Sequence, residues 1–193
     1  GMKIAHIADT HIKNLKYHED YRDCFEQMYE ILREQEVDCI VHCGDIAHTK
    51  TQISPEFVDM ASDFFSNLAE IAPTFVILGN HDGNLKNSNR QDAITPIIKA
   101  LDLNNLKLLK NSGETHLSDG NTVLNVLSVF DRDNWTQPTD QIKSILPYIT
   151  VQFPIVKLML VGLWNLVKMS FQFLRSSTLQ CLGIFISANF FFF

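Results

Sequence analysis

The chain has 193 residues, 46% of them hydrophobic and 20% charged, a balance that fits one globular domain with a sizeable core rather than two. A formal net charge of −6 excludes a strongly basic nucleic-acid coat protein. It does not exclude a nuclease, because bound divalent cations reverse the field locally.

Residues 3–8 read as a short buried strand that ends at Asp9. From about residue 17 to 36, apolar Tyr21, Phe25, Met28, Ile31 and Leu32 recur at helical spacing among charges, which predicts an amphipathic helix. Residues 37–42 form a second apolar strand stopped by Gly44. Pro55 opens a second helix with Phe57, Val58, Ala61, Phe64, Phe65 and Leu68 inward. Residues 74–78 are a third strand, ended by Gly79. Strands alternating with helices predict parallel pairing through crossovers, and so an α/β fold. Further on, residues 91–101 predict a helix and the stretch after Asn105 a short strand. Residues 115–117 and 121–130, separated by Asp119-Gly120, predict a β-hairpin, and residues 140–146 a helix.

Each of the first three strands runs into a polar cluster: Asp9-Thr-His11, Gly44-Asp45-Ile-Ala-His48, and Gly79-Asn80-His81-Asp82. Any one of them is ordinary turn chemistry. In a parallel sheet, however, ligands gather at the carboxyl ends of the strands, so the three can converge. Carboxylate oxygen with imidazole nitrogen suits manganese, iron or zinc better than magnesium or calcium, and the Asn80 amide adds a neutral oxygen. His6 and His42 lie inside strands and read as hydrogen-bonded core imidazoles; His18 and His116 are not assigned to metal. Cys24, Cys39, Cys43 and Cys181 lack paired-ligand spacing and, with no signal-peptide pattern, read as reduced thiols of a cytoplasmic protein.

The three motifs resemble the calcineurin-like metallophosphoesterase superfamily, and their wording is most similar to the SbcD type of DNA repair exonuclease subunit, phage relatives included. The resemblance covers about residues 2–149. It implies a four-layer α/β/β/α sandwich, incomplete in its C-terminal half, and a two-metal site, usually manganese. Asp9 and His11 would bind the first ion, Asp45 would bridge both, and Asn80 would bind the second. His81 would contact the scissile phosphate or protonate the leaving oxygen, and His48 would place the phosphate and the DNA end. The implied partners are DNA and an SbcC-type ATPase. Lys50, Lys86 and Arg90 lie in nearby loops and are candidate phosphate contacts, with solvated loop charges as the equal alternative. A phosphatase or cyclic-nucleotide phosphodiesterase on the same scaffold, or a catalytically dead module binding DNA or an ATPase, are the competing functions.

After about Thr150 the composition changes. All 22 acidic residues lie at or before Asp140, whereas eight of the 14 phenylalanines follow Thr150, the last four in a row. Neither the strand nor the helix period is sustained through residues 150–193, which read as an atypical hydrophobic tail, out of frame by hypothesis. The apolar stretch of residues 179–193 is short of the roughly 20 residues that span a bilayer, so membrane association is not expected. An exposed apolar tail invites self-association, a homodimer included, unless it packs on the open sheet edge. The family supplies further histidine ligands downstream, and no histidine follows His116 here. Weak manganese binding and little nuclease activity are therefore expected of this polypeptide.

Overall fold

A computed structural model describes residues 3–8, 10–51, 53–87, 89–120 and 122–135, together with strands at 145–149, 168–174 and 182–188. The first strand is β1 (Ile4–Ile7), followed by α1 (His18–Glu34), β2 (Cys39–His42), α2 (Pro55–Ile71), β3 (Thr74–Val76), α3 (Thr95–Leu101) and β4 (Leu106–Leu108). β1 to β4 pair in parallel, neighbour to neighbour, each joined to the next by one helix. Parallel neighbours need such crossovers, and the expected α/β order is what this chain forms.

The helices form where their apolar faces have something to cover. α1 buries Tyr21, Cys24, Phe25, Met28, Tyr29 and Leu32, and α2 buries Phe57, Met60, Ala61, Phe64, Phe65 and Leu68. These side chains pack with Ala5, Ile7, Ile40 and Val76 on one face of the sheet. Successive strand residues point to opposite faces, so Ile4, Cys39, Val41 and Phe75 face the other way. There they meet Leu117, Leu124 and Val126 of a second, three-stranded sheet.

That sheet holds β5 (Gly113–His116), β6 (Val123–Leu127) and β7 (Ile145–Ile149), in the order β5-β6-β7. β5 and β6 are the expected hairpin; at its turn Thr122 donates its amide to the Asp119 carboxylate at 2.8 Å. The result is helices, sheet and sheet in three layers, and no helix covers the outer face of the second sheet among the described residues.

Four expectations need correction. Val58, expected on the inner side of α2, is 38% exposed, because it falls off the helical stripe formed by Phe57, Met60, Ala61, Phe64, Phe65 and Leu68. The helix predicted over residues 91–101 begins only at Thr95, because the Asp92 carboxylate accepts the amides of Ile94 and Thr95 at 2.9 and 2.6 Å and starts the turn there. The helix predicted over residues 140–146 does not extend to Ile145 and Leu146, which belong to β7; residues 140–144 lie outside the described residues. The tail, read as sustaining neither the strand nor the helix period, contains β8 (Lys168–Leu174) and β9 (Leu182–Ala188). Over β8, Met169, Phe171 and Phe173 alternate with Ser170 and Gln172, a short period-two signal. β9 adds antiparallel to β1, from Ile4↔Ser187 to Ile7↔Ile184, and β8 pairs with β9. The main sheet therefore runs β4-β3-β2-β1-β9-β8, and the free edge of β1, a row of unpaired amides and carbonyls, is filled.

Cys24, Cys39 and Cys43 are buried thiols, with burial pushing that of Cys39 up to about 12; Cys181 lies outside the described residues. Among the described residues, no helix is long and apolar enough to cross a membrane.

Candidate metal centre

The loops that leave β1, β2 and β3 are stitched to one another at the carboxyl edge of the sheet. His11 and Ile12 donate their amides to the carbonyls of Asp45 and Ile46 at 2.9 and 2.8 Å, and His48 returns one to Ile12 at 3.0 Å. Ile12 and Ala47 thereby form an isolated parallel bridge that prolongs the β1–β2 pairing into the loops. His11 and Asp45 sit at φ 45° and 53°, left-handed conformations that cost a non-glycine residue roughly 1–3 kcal/mol and persist where surrounding contacts over-determine them. Gly44 at φ 101° makes the turn that no other residue makes cheaply.

Beneath these loops, buried polar groups supply the stitching. The His42 imidazole, with no exposed surface, accepts the Gly44 amide at Nδ1 (3.2 Å) and lies 3.3 Å from Thr10 Oγ1 through Nε2. Because the Thr10 hydroxyl donates to the Ile46 carbonyl, His42 carries its hydrogen on Nε2 and donates to Thr10. Burial holds His42 down to about 3, the neutral form this arrangement requires. His6 is likewise buried and held down to about 4 by burial, with Nε2 2.9 Å from the Cys43 thiol. Both match their reading as core imidazoles.

The third loop meets the second through His81. Its amide donates to Asp45 Oδ1 at 2.9 Å, and its ring Nδ1 donates to the His48 carbonyl at 2.8 Å. A backbone carbonyl only accepts, so Nδ1 carries the hydrogen and Nε2 is the open nitrogen. The rings of His11 and His81 are 4.8 Å apart and nearly perpendicular; His48 lies 6.1 Å from His11 and 6.3 Å from His81. His11 Nε2 stands 4.0 Å from Asp45 Oδ2. A β-carbon on Gly79 would fall 2.1 Å from Asp45 Oδ1, so the chain approaches the carboxylate as only glycine permits.

Electrostatics favour the neutral rings of His11 and His48. Burial lowers His11 below the ordinary imidazole value; Asp45 opposes this, and His81 and His48 add to it. His48, mostly exposed, is lowered by its partial burial, then by Lys13 and His81. Lys13 escaped the reading of the sequence; it lies two residues beyond Asp-x-His, with its ammonium 4.9 Å over the Tyr17 ring. The Tyr21 hydroxyl, which donates to the His11 carbonyl at 2.7 Å, escaped it as well. Only its place on the inward face of α1 could have signalled that role.

His11, Asp45, His48 and His81 are thus brought together, and Asn80 sits between Gly79 and His81 on the third loop. Asp9 lies outside the described residues. Lys50, Lys86 and Arg90 are exposed, and none of them joins the cluster by a hydrogen bond or ion pair among the described residues. No three His, Cys, Asp or Glu side chains there form a complete ion-binding group by themselves. One pair of donors, His11 and Asp45, lies within the reach of a shared divalent cation. Two donors each about 2.0–2.2 Å from one ion stand no more than about 4.4 Å apart, and the His11–Asp45 separation of 4.0 Å falls inside that limit.

A family model described as Calcineurin-like phosphoesterase matches residues 2–155. Uncharacterized protein R555 of Acanthamoeba polyphaga mimivirus is 44% identical over 134 residues, 67% of this chain and 10% of that protein. Putative phosphoesterase 244L of Invertebrate iridescent virus 6 is 31% identical over 83 residues, 42% of this chain and 28% of that protein. The DNA double-strand break repair protein Mre11 of Methanosarcina acetivorans is 28% identical over 86 residues, 42% of this chain and 14% of its own length. The matched segment is less than a third of each of these relatives.

Proposed function

The chain belongs to the calcineurin-like phosphoesterase family, and on that premise we propose that it hydrolyses phosphodiester bonds of DNA with divalent cations, manganese by preference. The family is one of hydrolases that act on phosphate esters with divalent metals. Asp9, His11, Asp45 and Asn80 are the residues proposed to hold two ions, with Asp45 shared. When bound, such ions supply Lewis acidity toward the phosphate and a lowered pKa for the attacking water.

The residues of the chain do the rest. With its Nδ1 hydrogen committed to the His48 carbonyl, His81 presents Nε2 to the scissile phosphate or the leaving oxygen, and it donates there only when the ring carries a second hydrogen on Nε2. That bond fixes tautomer and ring orientation together, as a proton-transfer group requires. His48, exposed and held below the ordinary imidazole range, meets the phosphate and the DNA end as a neutral hydrogen-bonding ring. Lys50, Lys86 and Arg90 are proposed as outer phosphate contacts. DNA is favoured as substrate by the Mre11 relatives, and an SbcC-type ATPase as partner by the SbcD resemblance. Residues 2–149 are the proposed phosphoesterase part and 150–193 a tail distinct in composition. With Asp45 counted twice, few protein groups serve each ion, so weak manganese binding and slow turnover are expected.

The observation that carries this reading is the pair of bonds from His81 to Asp45 and His48, which bring the second and third motifs to one point. The test is hydrolysis of linear duplex DNA with manganese, set against p-nitrophenyl phosphate and cyclic nucleotides. DNA cleavage that Asp45→Asn abolishes supports it. Cleavage of the small esters alone moves the assignment to the phosphatase or phosphodiesterase branch, and no hydrolysis of any ester sinks it.

A further inference from the structure

Asp82 closes the third motif, has no exposed surface, and takes no part in the chemistry proposed above. Its two carboxylate oxygens serve two different loops. Oδ1 accepts the Ala47 amide at 2.8 Å, and Oδ2 accepts the Gly79 amide at 2.9 Å. Ala47 lies between Asp45 and His48; Gly79 precedes Asn80 and His81. The backbone of Asp82 is itself anchored, its amide to the Gly79 carbonyl at 3.1 Å and its carbonyl to the Ala93 amide at 2.8 Å.

We infer that Asp82 is a positioning residue whose buried carboxylate sets the spacing of Asp45 and His48 against Asn80 and His81, and thereby how tightly these loops hold divalent cations. The inference rests on the functional reading above. Ionised, as Asp82 is above about pH 7, a carboxylate is the one side chain of this size with two acceptor oxygens and no donor. The isosteric amide of asparagine would turn a donor toward one of the two N–H groups, and an apolar side chain would leave both without an acceptor in a buried site. Asp92 provides the contrast: it too is buried and satisfied, by Ile94, Thr95 and Lys110, but it holds the turn that leads into α3 and bonds neither the second motif nor Gly79.

The experiment compares Asp82→Asn and Asp92→Asn with the wild-type chain, by manganese titration calorimetry, thermal unfolding, and NMR hydrogen exchange of the Ala47 and Gly79 amides. Removing a partner that orients metal ligands typically weakens metal affinity about 10–100-fold, and that loss is expected for Asp82→Asn. Exchange at Ala47 and Gly79 should accelerate with or without manganese. Asp92→Asn should lose stability but keep its manganese affinity. Wild-type affinity in Asp82→Asn overturns the inference, and so does an equal affinity loss in Asp92→Asn for a similar drop in Tm. Asp82→Glu keeps both acceptors on a longer stem and carries the test should Asp82→Asn not fold. Weaker manganese binding than wild type is expected, and wild-type affinity counts against the inference. If the wild type takes up no manganese, the phosphoesterase reading fails by itself. Exchange then decides: acceleration confined to the two loops upholds the role of Asp82, and unchanged exchange removes it.

Discussion

Asp45 sits where three constraints meet: a left-handed backbone, the His81 amide on one carboxylate oxygen, and the bare face of Gly79 against the same oxygen. Crowding of this kind makes single-atom changes costly. In Gly79→Ala the new β-carbon would stand 2.1 Å from Asp45 Oδ1 and 2.4 Å from the Asp45 amide nitrogen, so the loops must part. Overpacking of this order destabilises by about 1–3 kcal/mol, read as a lower urea midpoint with an unchanged m-value. A midpoint equal to wild type would mean the two loops are not in contact. Asp45→Asn is the complementary change. Its amide oxygen still accepts from His81, so stability should hold, while the lost negative charge between the proposed ions should weaken manganese binding further, read by titration calorimetry.

At the scale of elements, helix ends do as much as strand ends to place these loops. Ser54 caps α2: its Oγ accepts the Phe57 amide at 3.0 Å and donates to the Asn14 carbonyl at 2.7 Å, tying the start of α2 to the loop after the first motif. Ser54→Ala removes both bonds, and a cap of this type is worth about 0.5–2 kcal/mol. Chemical denaturation measures that loss, and a shift below the low end of the range would show that water replaces the cap. α1 and α2 were legible in the sequence because their apolar spacing is set by the sheet they cover. The start of α3 was missed although its signals are local: Asp92 accepts amides two and three residues on, and Pro96 stands in the first turn. β9 was hidden because its pairing with β1 joins residues far apart in the chain.

For the whole molecule, acid is the condition to which the buried polar groups respond. His6 and His42 are held neutral, down to about 4 and about 3 against an ordinary value of 6.5, so the unfolded chain binds protons there that the folded chain refuses. Their stabilisation is complete above about pH 6.5 and is lost as pH falls toward 4. Asp82 acts oppositely: burial pushes its carboxyl up to about 7, against the pull of its amide donors, so the folded chain holds one proton more across this window. Two protons against one leave a net difference of one from these three groups, and the lowered His11 and His48 add to it in the same direction, so acidification from 6.5 to about 4 costs at least about 1.4 kcal/mol per pH unit. Urea midpoints of the metal-free chain at successive pH values measure this slope. Asp82→Asn removes the opposing group and should make the slope steeper, and a flat profile would contradict the burial of the two imidazoles.

The sequence by itself determined the alternation of strand and helix, the inward face of α1 and, Val58 apart, that of α2, and three polar motifs at three strand ends. Those features follow from local spacing and from the period of each element, which a linear reading can measure. Only the tertiary structure decided which polar atoms meet: His42 with Thr10, Asp82 with both Ala47 and Gly79, and the His81 ring with the His48 carbonyl. Each of these bonds spans more than 30 residues in at least one of its arms, or closes a turn whose shape depends on the loop beside it. A buried donor must find an acceptor wherever packing puts one, and that location is a property of the folded chain rather than of the order of its residues.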